Sequence, residues 1–508
     1  MKNPMVDKLK WYIDAGFPIL YIQTFEEGKA DGIITDAAGK KGVFEWNGSD
    51  GLVDFKTKAA LLVTGLSLAD ALTQLKAGKD LDHRLLVIKD VSELMKPDRQ
   101  SESQLESRKV VALLKDIARK IRNQDIDSTV IIISPTVNIP KDLEKLITVF
   151  KLELPKEDEI RTIIEEFAKA NGQTAVYPGL LDEMATAFKG LSTLEIEDLL
   201  ALAIGEDDGQ LNRKALQLIF EQKKQMILKA GVLELVPVKE SIDDIGGLEI
   251  LKEWLQRKAA VFKDITSAAE FGVPMPKGVM IAGVPGCGKS LTAKAASSLL
   301  EVPLLKLDMG RLMGKYVGES EENMRRAIEL AEAMSPCVLW VDELEKAFAG
   351  INGGGSEVTT RLFGTFLTWM QEKTCAAFVI ATANDISHLP PELMRKGRFD
   401  EIFYVSLPNP QEREKIFEIH LTKRRKADVE SIDIGKLVSK TEGYSGADIE
   451  SVVGESIESA FVKKMPQLTT EEIMNCIAST HSLKEIMEEQ INQLSKLYEE
   501  RKFKKASR

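Results

Sequence analysis

Cysteine is scarce: four in 508 residues, Cys287, Cys337, Cys375 and Cys476, at no spacing that suits a metal. That excludes a disulfide framework and points to a reduced, cytosol-like compartment. No apolar run is long enough to cross a bilayer. The opening "MKNPMVDKLKWYIDAG" lacks the basic-then-apolar layout of a signal peptide. Positive charge is not in excess either. With 68 Lys and Arg against 79 Asp and Glu, the net charge is −11, which argues against general nucleic-acid binding. One basic cluster, "RKFKKASR", is expected to be a solvated tail. What remains is 44% hydrophobic and 29% charged, the make-up of an ordinary globular chain. The length suits three or four folded units of roughly 100–200 residues each.

Short β-branched runs alternate with longer helical patterns, which predicts a parallel sheet flanked by helices. In the second half the strands are expected at 278–283, 303–308, 337–343, 377–384 and 402–407, with helices alone after Pro408. The first half repeats the plan at 18–24, 42–47, 84–90, 128–134 and 148–155. "VFKLELPKEDEIRTIIEEFAKA" parallels "IFYVSLPNPQEREKIFEIHLTK", and "GLSTLEIEDLLALAI" parallels "GYSGADIESVVGESI". Self-similarity in fixed order over a whole domain indicates an internal duplication. The expected domains are an α/β unit at 1–155, a helical lid at 156–229, a linker at 230–242, a second α/β unit at 243–410, and a lid with a final helix at 411–508.

"GVPGCGKS" fits G-x-x-x-x-G-K-[ST] between a strand and a helix, the context this phosphate-binding motif requires. Its residues Gly283, Val284, Pro285, Gly286, Cys287, Gly288, Lys289 and Ser290, with Leu291 behind them, are the candidate cradle. The glycines let backbone amides turn inward around a polyphosphate, and the following helix adds its N-terminal dipole. Lys289 would span the β- and γ-phosphates, and Ser290 would ligate Mg²⁺.

The corresponding stretch of the first half is "YIQTFEEGKADG". Aligned on Gly28-Lys29, it has Gln23 for Gly283, Glu26 for Gly286, Glu27 for Cys287 and Ala30 for Ser290. Turn glycines and the metal hydroxyl are gone, and two carboxylates stand where phosphate would sit. Like unit charges about 4 Å apart repel by about 4 kcal/mol at an effective dielectric of about 20. This copy is expected not to bind ATP in the usual manner, and Lys29 to be a surface lysine.

"CVLWVDE" is a buried strand ending in two acids. Asp342 would hold Mg²⁺ through water, and Glu343 would polarise the attacking water. The first half has Lys89 and Asp90 in this place. Asn384, ending "AFVIATAN", could orient that water or contact the γ-phosphate; a strand-end turn is the plainer alternative. Arg395 and Arg398 in "ELMRKGRFD" read alone as surface charge.

Taken together, "DDIGGLE", "GVPGCGKS", "KYVGESE", "VLWVDELEKA", "TTRLFGTFL", "ATAND", "PPELMRKGRFDE" and "GYSGADIE" resemble the AAA family of AAA+ ATPases, in that family's order. The architecture is similar, more narrowly, to the AAA proteins of an open reading frame found in plastids, cyanobacteria and other bacteria. The resemblance implies that Asp244, Ile245 and Gly246 line the adenine pocket, with His420, Gly446 and Ala447 of the lid closing over adenine and ribose. It implies that Arg395 and Arg398 reach a neighbour's γ-phosphate in a homo-oligomeric ring, a hexamer by family rule. It also implies that Tyr316-Val317-Gly318 lines a central pore, with "GINGGGSE" as a second pore loop. A helix-packing role remains open for His420, and a loop folded onto its own domain for Tyr316.

The expected function is therefore Mg-ATP binding and hydrolysis by a ring that remodels a protein partner of unknown identity. Neither a membrane nor a nucleic acid is expected as partner, and the compartment is cytoplasmic, or plastid stroma if organelle-encoded. The other reading is a nucleotide-dependent switch or scaffold that threads nothing.

Overall fold

The computed structural model describes residues 4–62, 65–77, 80–91, 95, 103–172, 176–206, 211–312, 319–348, 357–387, 389–395 and 397–508. Its contacts divide the chain into two units, Met1–Glu159 with Leu191–Asp198, and Ile160–Gly190 with Leu199–Arg508.

The first unit is built on β1 (Ile19–Gln23), β2 (Gly42–Asn47), β3 (Gly51–Asp54), β4 (Arg84–Ile88), β5 (Ser128–Ser134) and β6 (Ile147–Lys151). They lie in the order β3-β2-β4-β5-β1-β6, parallel except for β3. The central strand β5, "STVIIIS", is buried along its whole length. A sheet covered on both faces selects such continuous apolar runs. Alternate residues feed opposite faces: Tyr21, Leu86 and Ile132 join one core, Leu20, Val87 and Ile131 the other.

The second unit contains β7 (Leu233–Val236), β8 (Gly278–Gly283), β9 (Leu304–Leu307), β10 (Cys337–Val341), β11 (Ala377–Ala383), β12 (Glu401–Val405) and β13 (Lys504–Lys505). Their order is β13-β12-β8-β11-β10-β9-β7. Helices Pro410–Arg425, Ile434–Lys440, Gly446–Val462 and Thr470–Ser479 follow, packed on a core of their own around Phe417, Leu421, Val452 and Leu468. Two of these helices start on reciprocal capping boxes, Asn409 with Glu412 and Ser445 with Asp448, which fix where the lid helices begin.

Matched in sequence order, β2-β4-β5-β1-β6 and β9-β10-β11-β8-β12 are the same sheet, and each carries an antiparallel strand on the same edge, β3 or β7. The likeness reaches single residues. Asp90 after β4 and Glu343 after β10 both adopt a left-handed conformation, at φ 58° and φ 48°.

Three expectations need correction. Residues 230–242 are not only a linker, because Leu233–Val236 pair with β9. Strands do not end at Pro408, since Lys504 and Lys505 pair with Phe403 and Tyr404 at the sheet edge. The basic tail is not free in solvent either: Ala506 is completely buried and its amide donates to the Tyr404 carbonyl at 2.9 Å.

Candidate functional site

Strand β8 ends at Gly283 with φ +146°, where a Cβ would lie 2.0 Å from the Val405 carbonyl oxygen. Only glycine lets the chain leave the sheet against β12 at this point. The loop then enters helix Lys289–Leu300 through Gly288, with no side-chain cap on the helix's first amides. Lys289 is 7% exposed, and its Nζ donates to the carbonyls of Gly283 and Val284 at 3.0 and 2.8 Å. Burial pulls its pKa below the usual lysine range. Burial also pushes the Cys287 thiol up to about 12, so it stays protonated at neutral pH and is no nucleophile.

The acids sit across from this loop. Asp342 Oδ1 accepts from Thr382 Oγ1 at 2.7 Å and lies 3.5 Å from Ser290 Oγ, while Lys306 Nζ stands 3.0 Å from Oδ2. The Thr382 hydroxyl also accepts the Glu343 amide at 3.1 Å, so one side chain on β11 fixes both acidic positions. Glu343 faces Asn384 Nδ2 at 3.4 Å and pairs with Lys346 at 2.5 Å. Asn384 is itself held by Glu345 Oε1, which accepts its amide N at 3.1 Å and its Nδ2 at 3.0 Å. Burial raises the Glu345 pKa.

Lys289, Ser290, Asp342, Glu343, Thr382 and Asn384 line one cleft of about 440 Å³, whereas Lys306, Glu345 and Lys346 are not part of its lining. Its further wall contains Ile245, Gly246, His420, Gly446 and Ala447. The Ala447 amide donates to the Gly286 carbonyl at 3.0 Å, which seats the lid helix on the loop. His420 accepts from Arg424 at 2.9 Å, and burial lowers its pKa from the usual imidazole range. Asp244 also lines the cleft, but its carboxylate caps the preceding turn by accepting from the Ser241 amide at 2.7 Å. Gly283 and Val284 contribute through their carbonyls to Lys289 rather than as lining.

Other expected residues stand apart. Arg395 is exposed, and Arg398 donates to the Glu392 carbonyl; neither lines the cleft. Tyr316, Val317 and Gly318 lie outside the described residues, as does the glycine run of "GINGGGSE". Sequence reasoning missed Thr382, Lys306, Glu345 and Glu412. Thr382 sits two places before Asn384 in "ATAND", a signal that was present but carried no chemistry by itself.

The matching region of the first unit is filled by its own side chains. Glu26 Oε1 accepts the amides of Thr193 and Leu194 at 2.7 and 3.4 Å, at the start of helix Thr193–Glu206. Gly286 and Ala447 meet at the corresponding place in the second unit. Lys89, where Asp342 stands in the second copy, lies 2.9 Å from Asp31 and 3.5 Å from both Glu27 and Glu45. Burial works against the Lys89 charge, yet the Asp31 hydrogen bond and these three acids hold its pKa above the usual range. Lys29 is half-buried and 3.9 Å from Glu26.

Family models match at four places. Residues 279–407 match the ATPase family associated with various cellular activities (AAA), and residues 431–475 match an AAA+ lid domain. Residues 5–152 and 158–230 match the N-terminal and second domains of SpoVK-like AAA ATPases. The chain belongs to the AAA ATPase family. It is similar to the AAA domain-containing protein ycf46 of Guillardia theta, 38% identical over 480 residues, or 93% of this chain and 90% of that protein. The ycf46 protein of Pyropia yezoensis is 37% identical over 493 residues, covering 96% of each. A cell division cycle protein 48 homolog of Archaeoglobus fulgidus is 36% identical over 220 residues, 42% of this chain and 30% of that protein.

Proposed function

We propose that the second unit binds and hydrolyses Mg-ATP, and that the chain works as a homo-oligomeric ring, a hexamer, that remodels a protein partner. The observation that carries this reading is the convergence of Lys289, Ser290, Asp342, Glu343 and Asn384 on one cleft. The residues fit the cofactors. Ser290 and Asp342 offer hard oxygen ligands 3.5 Å apart, as Mg²⁺ prefers. Among the described residues no group of three or more His, Cys, Asp or Glu could hold a metal, so water and phosphate oxygens would complete the shell.

Bound Mg²⁺ would neutralise charge on the phosphate oxygens. Lys289 would turn from the Gly283 and Val284 carbonyls to the β- and γ-phosphates, its ammonium already desolvated by burial. Glu343 would take the proton of the attacking water at its carboxylate, with Asn384 orienting that water. Ile245, Gly246 and His420 would hold the adenine side. Arg395 and Arg398 would act on a neighbour's site, and Tyr316 and Val317 would grip the partner. The first unit, without a phosphate cradle, would serve as an adaptor or stabilising tier.

Glu343→Gln tests the hydrolytic reading. The variant is expected to bind ATP with unchanged affinity and to lose at least about 100-fold in turnover, the scale of a lost general base. Turnover equal to that of the unaltered chain would refute it.

A further inference from the structure

Helix Glu249–Lys263 begins directly after the Asp244–Gly246 wall of the cleft, and it begins without a cap of its own. Its N-cap residue, Leu248, is left-handed at φ 57° and offers no side-chain acceptor. The first amides of a helix need partners from somewhere. Here they come from far along the chain. The Leu248 amide donates to Glu412 Oε1 at 3.1 Å. The amides of Ile250 and Leu251 both donate to the Ala506 carbonyl, at 3.0 and 3.1 Å.

Strand β13 is what delivers Ala506 to this place, by pairing beside β12. The next residue, Ser507, donates through Oγ to the same Glu412 Oε1 that holds Leu248. Glu412 is 4% exposed and lines the cleft together with Leu248. Its other oxygen accepts the Asn409 amide at 2.9 Å. At Gly247, with φ +95°, a Cβ would come within 2.3 Å of Glu412, so loop and carboxylate are in close contact. Arg508 adds an ion pair to Glu253 on the same helix.

We infer that residues 504–508 form a latch that sets affinity for adenine nucleotides, with Ala506 and Ser507 as positioning residues for the Ile245–Leu248 wall. The inference rests on the reading of the cleft as an ATP site. The latch acts on the adenine wall and on none of the phosphate, metal or water-activating groups. Its loss therefore weakens ATP and ADP equally and raises KM without lowering kcat, the mark of uniform binding. Linkage makes the effect reciprocal: bound nucleotide must hold the latch in place.

The test measures Kd for ATP and for ADP, and KM and kcat, in full-length Ser507→Ala, Ser507→Thr and Ala506→Asp, alongside amide exchange at residues 248–251 and 504–508. A hydrogen bond lost from a buried carboxylate predicts that Ser507→Ala raises both Kd values by roughly three- to tenfold, and Ala506→Asp by about tenfold or more. kcat stays unchanged, Ser507→Thr restores affinity, and ADP slows exchange at 504–508. Unchanged Kd values in both Ser507→Ala and Ala506→Asp, or a fall in kcat at constant KM, would overturn the latch. If the unaltered chain takes up no ATP, the ATP-site reading fails instead. The claim on nucleotide affinity falls with it, and exchange at 248–251 in Ala506→Asp then tests the positioning role alone, supporting it if faster and refuting it if unchanged.

Discussion

Thr382 carries two bonds that the candidate chemistry depends on, one to the Asp342 carboxylate and one from the Glu343 amide. It touches neither phosphate nor water in the proposed arrangement, yet it sets the direction in which Asp342 faces Ser290. Partners that orient a metal-holding group typically carry 10–100-fold in metal affinity or activity, by mutational experience. Thr382→Val keeps the shape and removes the hydroxyl. It is expected to raise the Mg²⁺ concentration for half-maximal hydrolysis about 10-fold or more, read from a magnesium titration of the ATPase rate. The sequence makes Lys289, Ser290, Asp342 and Glu343 legible because each lies in a contiguous motif. Thr382, Lys306 and Glu345 come singly, Thr382 and Lys306 from the strands on either side of β10, and their partners are decided only when β9, β10 and β11 stand side by side.

Among the elements, β4 of the first unit is tied by Lys89 to helix Glu27–Ala38 through Glu27 and Asp31, and to β2 through Glu45. Lys58 adds a second cation to Glu45 at 2.5 Å. Burial works against the Glu45 charge, but Lys58, Asn47 and Lys89 hold its pKa below the ordinary 4.5. A lowered carboxylate contributes stability that is present above 4.5 and lost as pH falls through its folded value. A raised lysine contributes stability present below 10.5 and lost as pH rises through its own. The melting temperature of the first unit is thus expected to be level near neutrality and to fall at both extremes. Lys89→Met should cost about 3 kcal/mol at neutral pH, because it takes a buried cation away from the buried Glu45 and the half-buried Asp31. Chemical denaturation followed with a probe in that unit checks it; a loss under about 0.5 kcal/mol, the level of an ordinary surface change, would contradict the network. Elements such as β5 were legible from their apolar runs. Strands β7 and β13 were not, since an edge strand of two to four residues has no pattern of its own and forms only where a neighbouring edge accepts it.

Across the molecule, one architecture occurs twice with opposite outcomes. The two sheets share strand order and even the left-handed residue after the fourth and tenth strands. One copy keeps a glycine loop around a buried lysine; the other turns its carboxylates onto Lys89 and the 193–194 amides. Packing constrains apolar strands in both copies, whereas phosphate binding, under the proposed function, would constrain the loop in only one. If the sites are completed between protomers, Arg398→Ala alone should abolish hydrolysis, and mixing it with Lys289→Ala subunits should recover part of the rate. Mixtures that stay inactive at every ratio would count against shared sites.

The proposed chemistry requires a single nucleotide-binding cleft per chain. Calorimetric titration of Mg-ATP into Glu343→Gln should give one site per chain, and none once Lys289→Ala is added. Two sites per chain, or a site that survives the loss of Lys289, would contradict it.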